Sequence, residues 1–230
     1  MVIIRNLATK FLALGVLFLA GIFSLRADDE PLGYFYHGHL QPLRLDASQI
    51  AVRIRSTSFS LDAGRRTLPS ALRTRGFGTT DLIGEPIAGW TILDATKAKQ
   101  QFTASGNIGG SSPASAQSES QTVHALIKSL IDSKDAAIEF VSPVFRDEQG
   151  GLILIDSRVL IGFARNCGAP ERAALRSLVP EGAALERGAF AQRDAERWQI
   201  NSRDGFVVLA RANQLAQQSG ITYAEPDMLV

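Results

Sequence analysis

The sequence predicts an α+β fold made of two tandem βαββαβ units, each an antiparallel sheet covered by helices on one face. Three observations predict it. First, "LRLDASQIAVRI" (Leu43–Ile54) and "LILIDSRVLIGF" (Leu152–Phe163) align without a gap on Leu-x-Leu, a polar stretch with a shared Ser, and a branched apolar run. Second, "IEFVSP" from Ile138 and "ITYAEP" from Ile221 form a matched closing phrase. Third, an amphipathic helix pattern precedes each closing phrase. The opening phrases lie 109 residues apart and the closing phrases 83, so the first copy carries 26 extra residues.

The N-terminus carries Arg5 and Lys10 before thirteen apolar residues, Phe11–Phe23, and a small residue at Ala27. Thirteen residues are too few to cross a ~30 Å hydrocarbon core. The arrangement predicts a signal peptide over residues 1–27, cut after Ala27, and a secreted or periplasmic chain with no stable membrane insertion after cleavage. The alternative is an uncleaved anchor.

The first unit is expected over residues 34–143. A ribbon, "YFYHGHLQPLRL", leads into a strand at Ile50–Arg55. A short helix near Pro69–Arg75 and a strand near Trp90–Leu93 follow. A Gly/Ser-rich insertion near residues 103–120, "SGNIGGSSPASAQSES" at its heart, lacks periodicity and reads as a flexible excursion. Val123, Leu126, Ile127, Leu130 and Ile131 then fall on one helical stripe, with Ser118 and Gln121 as a capping box. His124 falls beside the stripe, at the surface. A strand at Ile138–Val141 closes the unit at Pro143.

The second unit is expected over residues 144–230. A ribbon and strand place Asp156 and Ser157 in a turn. Pro170 opens a helix, where its missing N–H costs nothing, with Leu175, Leu178 and Val179 on the apolar face. Trp198 and Ile200 alternate with Arg197 and Gln199, the pattern of a half-buried strand. Val208, Ala212, Leu215 and Ala216 make a second helical stripe, Gly220 stops it, and "ITYAEPD" is the last strand. In such βαββαβ, or ferredoxin-like, units the face without helices is left to solvent, to the sister unit or to another protein.

Composition narrows function. With 24 Lys+Arg against 23 Asp+Glu the net charge is +1, which argues against a nucleic-acid partner. Arg65, Arg66, Arg73 and Arg75 are the only basic cluster and read as a solvated face. Cys167 is the sole cysteine, so no intrachain disulfide forms, and it reads as a small buried hydrophobe. The sequence has no glycine-rich phosphate loop and no metal-ligand spacing. His37 and His39 could pair on a metal, but no acidic cluster adjoins them. No enzyme activity, cofactor or metal is expected, and a docking module is favoured over an enzyme.

From about Leu152 onward the chain resembles the propeptide domain of secreted subtilisin-like serine proteases. The resemblance rests on "RVLIGFA", the helix "PERAALRSLV", the strand "ERWQI", the helix through "RANQLAQQ" and the final "ITYAEPD". "FVSPVFRDEQGGLIL" also resembles the longer, two-unit prosegments of some secreted bacterial members. The resemblance implies a protein that assists folding of a protease and then inhibits it. An open sheet face packs on two protease helices, and acidic residues cap the helix N-termini. By position these are Glu225 and Asp227, with Tyr223, Met228, Leu229 and Val230 completing the partner-binding segment. Only three residues follow Asp227, a reach of ~10 Å, which favours docking over occlusion of a catalytic serine. "HGH" at His37–His39 resembles the start of a catalytic histidine motif, yet no Gly-Thr-Ser nucleophile segment exists to partner it. The expected function is that of a stand-alone inhibitor or folding chaperone. The alternatives are a detached prosegment of a split or truncated protease, and a secreted structural or interaction module.

Overall fold

The computed structural model describes residues 32–55, 61–62, 65–66, 68–87, 89–104, 116–186 and 194–230. The expected signal peptide, and residues 105–115 of the Gly/Ser-rich insertion, lie outside the described residues. In chain order the strands before the first long helix are β1 (Gly33–Tyr36), β2 (His39–Pro42), β3 (Arg44–Ile54), β4 (Leu61–Asp62), β5 (Arg65–Arg66), β6 (Leu82–Ile87) and β7 (Trp90–Asp94), with helix α1 (Ser70–Thr74) between β5 and β6. Then come α2 (Thr96–Ala104), α3 (Ala116–Asp132), β8 (Ile138–Arg146), β9 (Leu152–Phe163), α4 (Ala169–Ser177), β10 (Ala183–Leu185), β11 (Ala195–Ile200), α5 (Gly205–Ala216) and β12 (Ile221–Leu229). The class is α+β, and residues Leu32–Val230 pack as one compact unit.

One antiparallel sheet runs β10-β11-β9-β8-β3-β7-β6, with β12 also paired to β9. Residues 44–146 contribute the order β8-β3-β7-β6, and residues 152–229 the order β12-β9-β11-β10. The register is repeated as well. Ile50, Ala51, Val52 and Arg53 oppose Pro143, Ser142, Val141 and Phe140. Val159, Leu160, Ile161 and Gly162 oppose Pro226, Glu225, Ala224 and Tyr223 in the same way. The next pairs, Ile54 with Ile138 and Phe163 with Ile221, each skip one residue, so both ladders carry a bulge at the same place. The two opening phrases and the two closing phrases thus meet as partner strands. A β8–β9 hairpin, Val144 opposite Leu154, joins the two ladders into one sheet.

Local sequence accounts for the helices. Val123, Leu126, Ile127 and Leu130 on α3 are fully buried against β3 and β8. Burying each such side chain contributes about 1.5–3 kcal/mol relative to leaving it exposed. Helix α5 is capped by the Asp204 carboxylate, which accepts the Phe206 N–H at 2.9 Å. Gly220, at φ 89°, takes the left-handed conformation that ends the following turn.

Two hydrophobic clusters result. One holds Ile50, Val52, Leu93 and Ile138 beneath α1, α2 and α3. The other holds Val159, Ile161, Trp198 and Ala224 with Val208 and Leu215 of α5. Ala51, Trp90, Ile92 and Phe140 belong to that second cluster, although they sit on the first ladder. The face of β3, β7 and β8 turned away from α3 is therefore not open, as expected for a bare sheet, but packed shut.

Other expectations need correction. Asp156 and Ser157 lie inside β9, at 2% and 3% exposure, not in a turn. Strand β8 continues through Pro143 to Arg146, because the hairpin to β9 extends it. Leu178 is 51% exposed, one residue beyond the end of α4, while Val179 is buried. Helix α3 begins at Ala116, so Ser118 and Gln121 lie within its first turns. Strand β6 and helix α2 escaped the sequence pattern. Met228 and Leu229 do not form a free tail but pair with Ile155 and Leu154.

Candidate functional site

Strand alternation decides what β9, β11 and β12 present. Val159, Ile161, Trp198 and Ala224 face α5, so their neighbours face the other way. That second face carries Arg158, Leu160 and Gly162 of β9, Arg197 and Gln199 of β11, and Tyr223 and Glu225 of β12. Gly162 has a structural reason: a Cβ there would lie 2.1 Å from the Tyr223 ring. The ring therefore lies flat on the strand beside it.

Along this face runs an ionic network centred on Asp156. Its carboxylate accepts from the Ser157 N–H at 2.7 Å, and pairs with Arg53 at 2.7 Å and with Arg158 at 2.5 Å. Burial alone would push the Asp156 carboxyl up. The Ser157 N–H, Arg53 and Arg158 overcome that and hold it below the ordinary carboxylate range. Arg158 also contacts Asp227 at 3.2 Å and Glu186 at 3.6 Å. Arg197 lies 4.0 Å from Asp227. Arg53 comes from β3, with its guanidinium 5.4 Å from the Trp90 ring and 5.5 Å from the Phe140 ring. The network thus ties the first ladder to the second. Beside it, an open cleft of about 460 Å³ is lined by Arg53, Glu139, Phe140, Ser157, Gln199 and Ser202.

The β1–β2 ribbon borders β12. His37 and Gly38 both have positive φ, 47° and 79°, the backbone of a tight two-residue hairpin turn. The Asn213 side chain on α5 donates to the Gly33 carbonyl at 2.8 Å and fixes the ribbon's start. The ring centroid of His37 lies 4.4 Å from that of Tyr36 and 5.7 Å from that of Tyr223. Glu225 is half-buried, and burial pushes its carboxyl above the usual range, an effect that His37 partly offsets. Burial, and then the charge on Glu225, raise the hydroxyls of Tyr34 and Tyr223.

The expected partner-binding residues therefore separate. Tyr223 and Glu225 share the helix-free face. Asp227 is taken up by Arg158 and Arg197. Met228 and Leu229 pack partly against the core, and Val230 is 90% exposed. Sequence reasoning missed Asp156, which it assigned to a turn, and the tyrosines of β1. Their signal was the i, i+2 spacing of Tyr34 and Tyr36, matched by Tyr223 and Glu225. Among the described residues no group of three or more His, Cys, Asp or Glu could hold a metal ion. No helix among them is long and apolar enough to cross a membrane. Compared with known proteins, the chain matches no family model, no curated protein and no solved structure.

Proposed function

We propose that this is an exported, propeptide-like protein of two tandem ferredoxin-like units, which docks on a subtilisin-like serine protease as inhibitor or folding chaperone. The observation that carries the reading is the helix-free face of β9, β11 and β12, which offers Leu160, Gln199, Tyr223 and Glu225 to a partner. The repeated strand order and the shared ladder bulge support the duplication. Within this reading Glu225 is the carboxylate that reaches a partner's helix N-terminus, where an anion is favoured by about 0.3–1 kcal/mol when exposed. Asp227 instead positions Arg158 and Arg197. Titrating the purified chain into secreted subtilisin-like proteases tests the proposal. Saturable inhibition, or faster recovery of activity on refolding, is expected, and Leu160→Asp abolishes it. Absence of both effects at micromolar concentrations overturns it. A second reading, an interaction module with no protease partner, is favoured by the engagement of Asp227 within the chain, since the acidic pair is then not jointly available.

A further inference from the structure

The meeting of β1 and β12 has a chemistry of its own, which does not depend on the partner being a protease. The chain contains three tyrosines, of which Tyr34 and Tyr223 feel the charge of Glu225 and Tyr36 lies near both of them. Tyr34 and Tyr36 alternate on β1, and Tyr223 and Glu225 alternate on β12, so each pair shares one face of its strand. The rings of Tyr36, His37 and Tyr223 follow one another edge to face. Tyr36 is 45% exposed, so the group opens to solvent.

Glu225 has no hydrogen bond or ion pair among the described residues, and neither have the hydroxyls of Tyr34, Tyr36 and Tyr223. The arginines on the same sheet face are committed elsewhere, Arg158 to Asp156, Glu186 and Asp227, and Arg197 to Glu186 and Asp227. A half-buried carboxylate without a donor is unfavourable alone. Ring faces attract a cation through their quadrupoles, and an adjacent carboxylate adds charge to that attraction. Both requirements are met by one kind of guest.

The geometry points to a binding site for an organic cation, the lysine or arginine side chain of a protein partner, held among Tyr36, His37 and Tyr223 with its charge on Glu225. The stem of such a side chain lies along the rings, and its head reaches the carboxylate.

The test uses the full mature chain and ring NMR resonances of the three tyrosines, at about pH 8, above the range where histidine ordinarily titrates. The probes are the Nα-acetyl methylamides of lysine and arginine, with the norleucine equivalent as a neutral control of similar length. Saturable shifts of the Tyr36 and Tyr223 rings by a basic probe, and none by norleucine, are expected. Glu225→Gln and Tyr36→Leu should each weaken binding about tenfold, the factor carried by one charge-assisted contact. Tyr36→Leu guards against a folding artefact, because its side chain is exposed. Equal shifts by norleucine, unsaturable shifts by the basic probes, or unchanged binding in Glu225→Gln would overturn the assignment. Protease inhibition that persists when this binding fails would leave the docking reading standing and remove only the cation site.

Discussion

Residues 44–146 and 152–229 share a strand order and, around the bulge at Ile54 and Phe163, one register, yet they use the same sheet face in opposite ways. On the first ladder the face away from the helices carries Ala51, Trp90, Ile92 and Phe140, all 2% exposed or less, with Arg53 half-buried beside them at the cleft. On the second it carries Arg158, Leu160, Arg197, Gln199, Tyr223 and Glu225, all half-buried or exposed. Register makes the pairs explicit: Phe140 corresponds to Tyr223, and Ser142 to Glu225. Ser142 shows the difference best, because its hydroxyl accepts the Ile155 N–H inside the molecule, while Glu225 has no hydrogen bond or ion pair among the described residues. Two ladders with a shared register present equivalent faces, and here one is internal while the other is half-buried or exposed.

The largest effect that sharpens this contrast comes from truncating the equivalent aromatics. Phe140→Ala should destabilise by about 3–5 kcal/mol, since it empties a fully buried ring site beneath Trp90 and Arg53. Tyr223→Ala should cost only about 1–2 kcal/mol, because that ring is half in solvent and its loss uncovers little beyond Gly162. Urea denaturation of both variants checks the difference. Equal losses would mean that the second face is as closed as the first.

A comparable difference is expected at the two carboxylates near the ladder irregularities. Asp46 of β3 is held by Ser48 and Arg146, and Asp156 of β9 by Ser157, Arg53 and Arg158. Burial would raise both carboxyls, and these partners depress both instead. A depressed carboxyl contributes stability that is present above its unfolded value of 3.8 and is lost as pH falls through the lower folded value. Asp156→Ala should cost about 3–5 kcal/mol, since it removes the buried carboxylate that Arg53 and Arg158 share. Asp46→Ala should cost roughly 1 kcal/mol, as its pair is more exposed. Thermal melts from pH 7 down to about pH 2 separate them: the wild-type decline below the unfolded value should flatten in Asp156→Ala and barely change in Asp46→Ala.

These contrasts also mark what the sequence made legible. The helical stripes of α3 and α5 and the final strand were readable, because each rests on local periodicity or on a nearby glycine stop. Closure of the first face was not. Trp90 and Phe140 look the same in sequence whether a ring lies on another sheet's core or on solvent. The Asp156 network was hidden for a related reason: Asp-Ser reads as a turn signal, and Arg53, 103 positions away, joins Arg158 and the Ser157 N–H in making a buried carboxylate tolerable in mid-strand. At the proposed site, the resemblance pointed to Glu225 and Asp227 as a pair, with Tyr223 beside them. It could not foresee that Asp227 is neutralised from β9 and β11, because those arginines are brought together only by strand pairing.

Glu225 gives the smallest effect and the most direct test of an available second face. Its carboxyl is raised above the ordinary 4.5 by burial, with His37 offsetting part of the rise. A raised carboxyl contributes stability that is fully present below the unfolded value and is lost as pH climbs through the folded one. The ionised group is therefore a burden at neutral pH, and Glu225→Gln should stabilise the chain there by about 0.5 kcal/mol. The two melting curves should converge below about pH 4, where the carboxyl is protonated in both states. His37→Ala should lower the melting temperature of the wild-type chain and leave that of Glu225→Gln unchanged, because His37 offsets part of the burial effect on the Glu225 carboxyl and has no carboxylate to act on in the variant. A group kept at a loss to folding, on the one copy of the face that remains accessible, is what a binding role predicts. If Glu225→Gln instead loses stability at pH 7, the carboxylate has a structural partner inside the chain, and the two faces differ in packing alone.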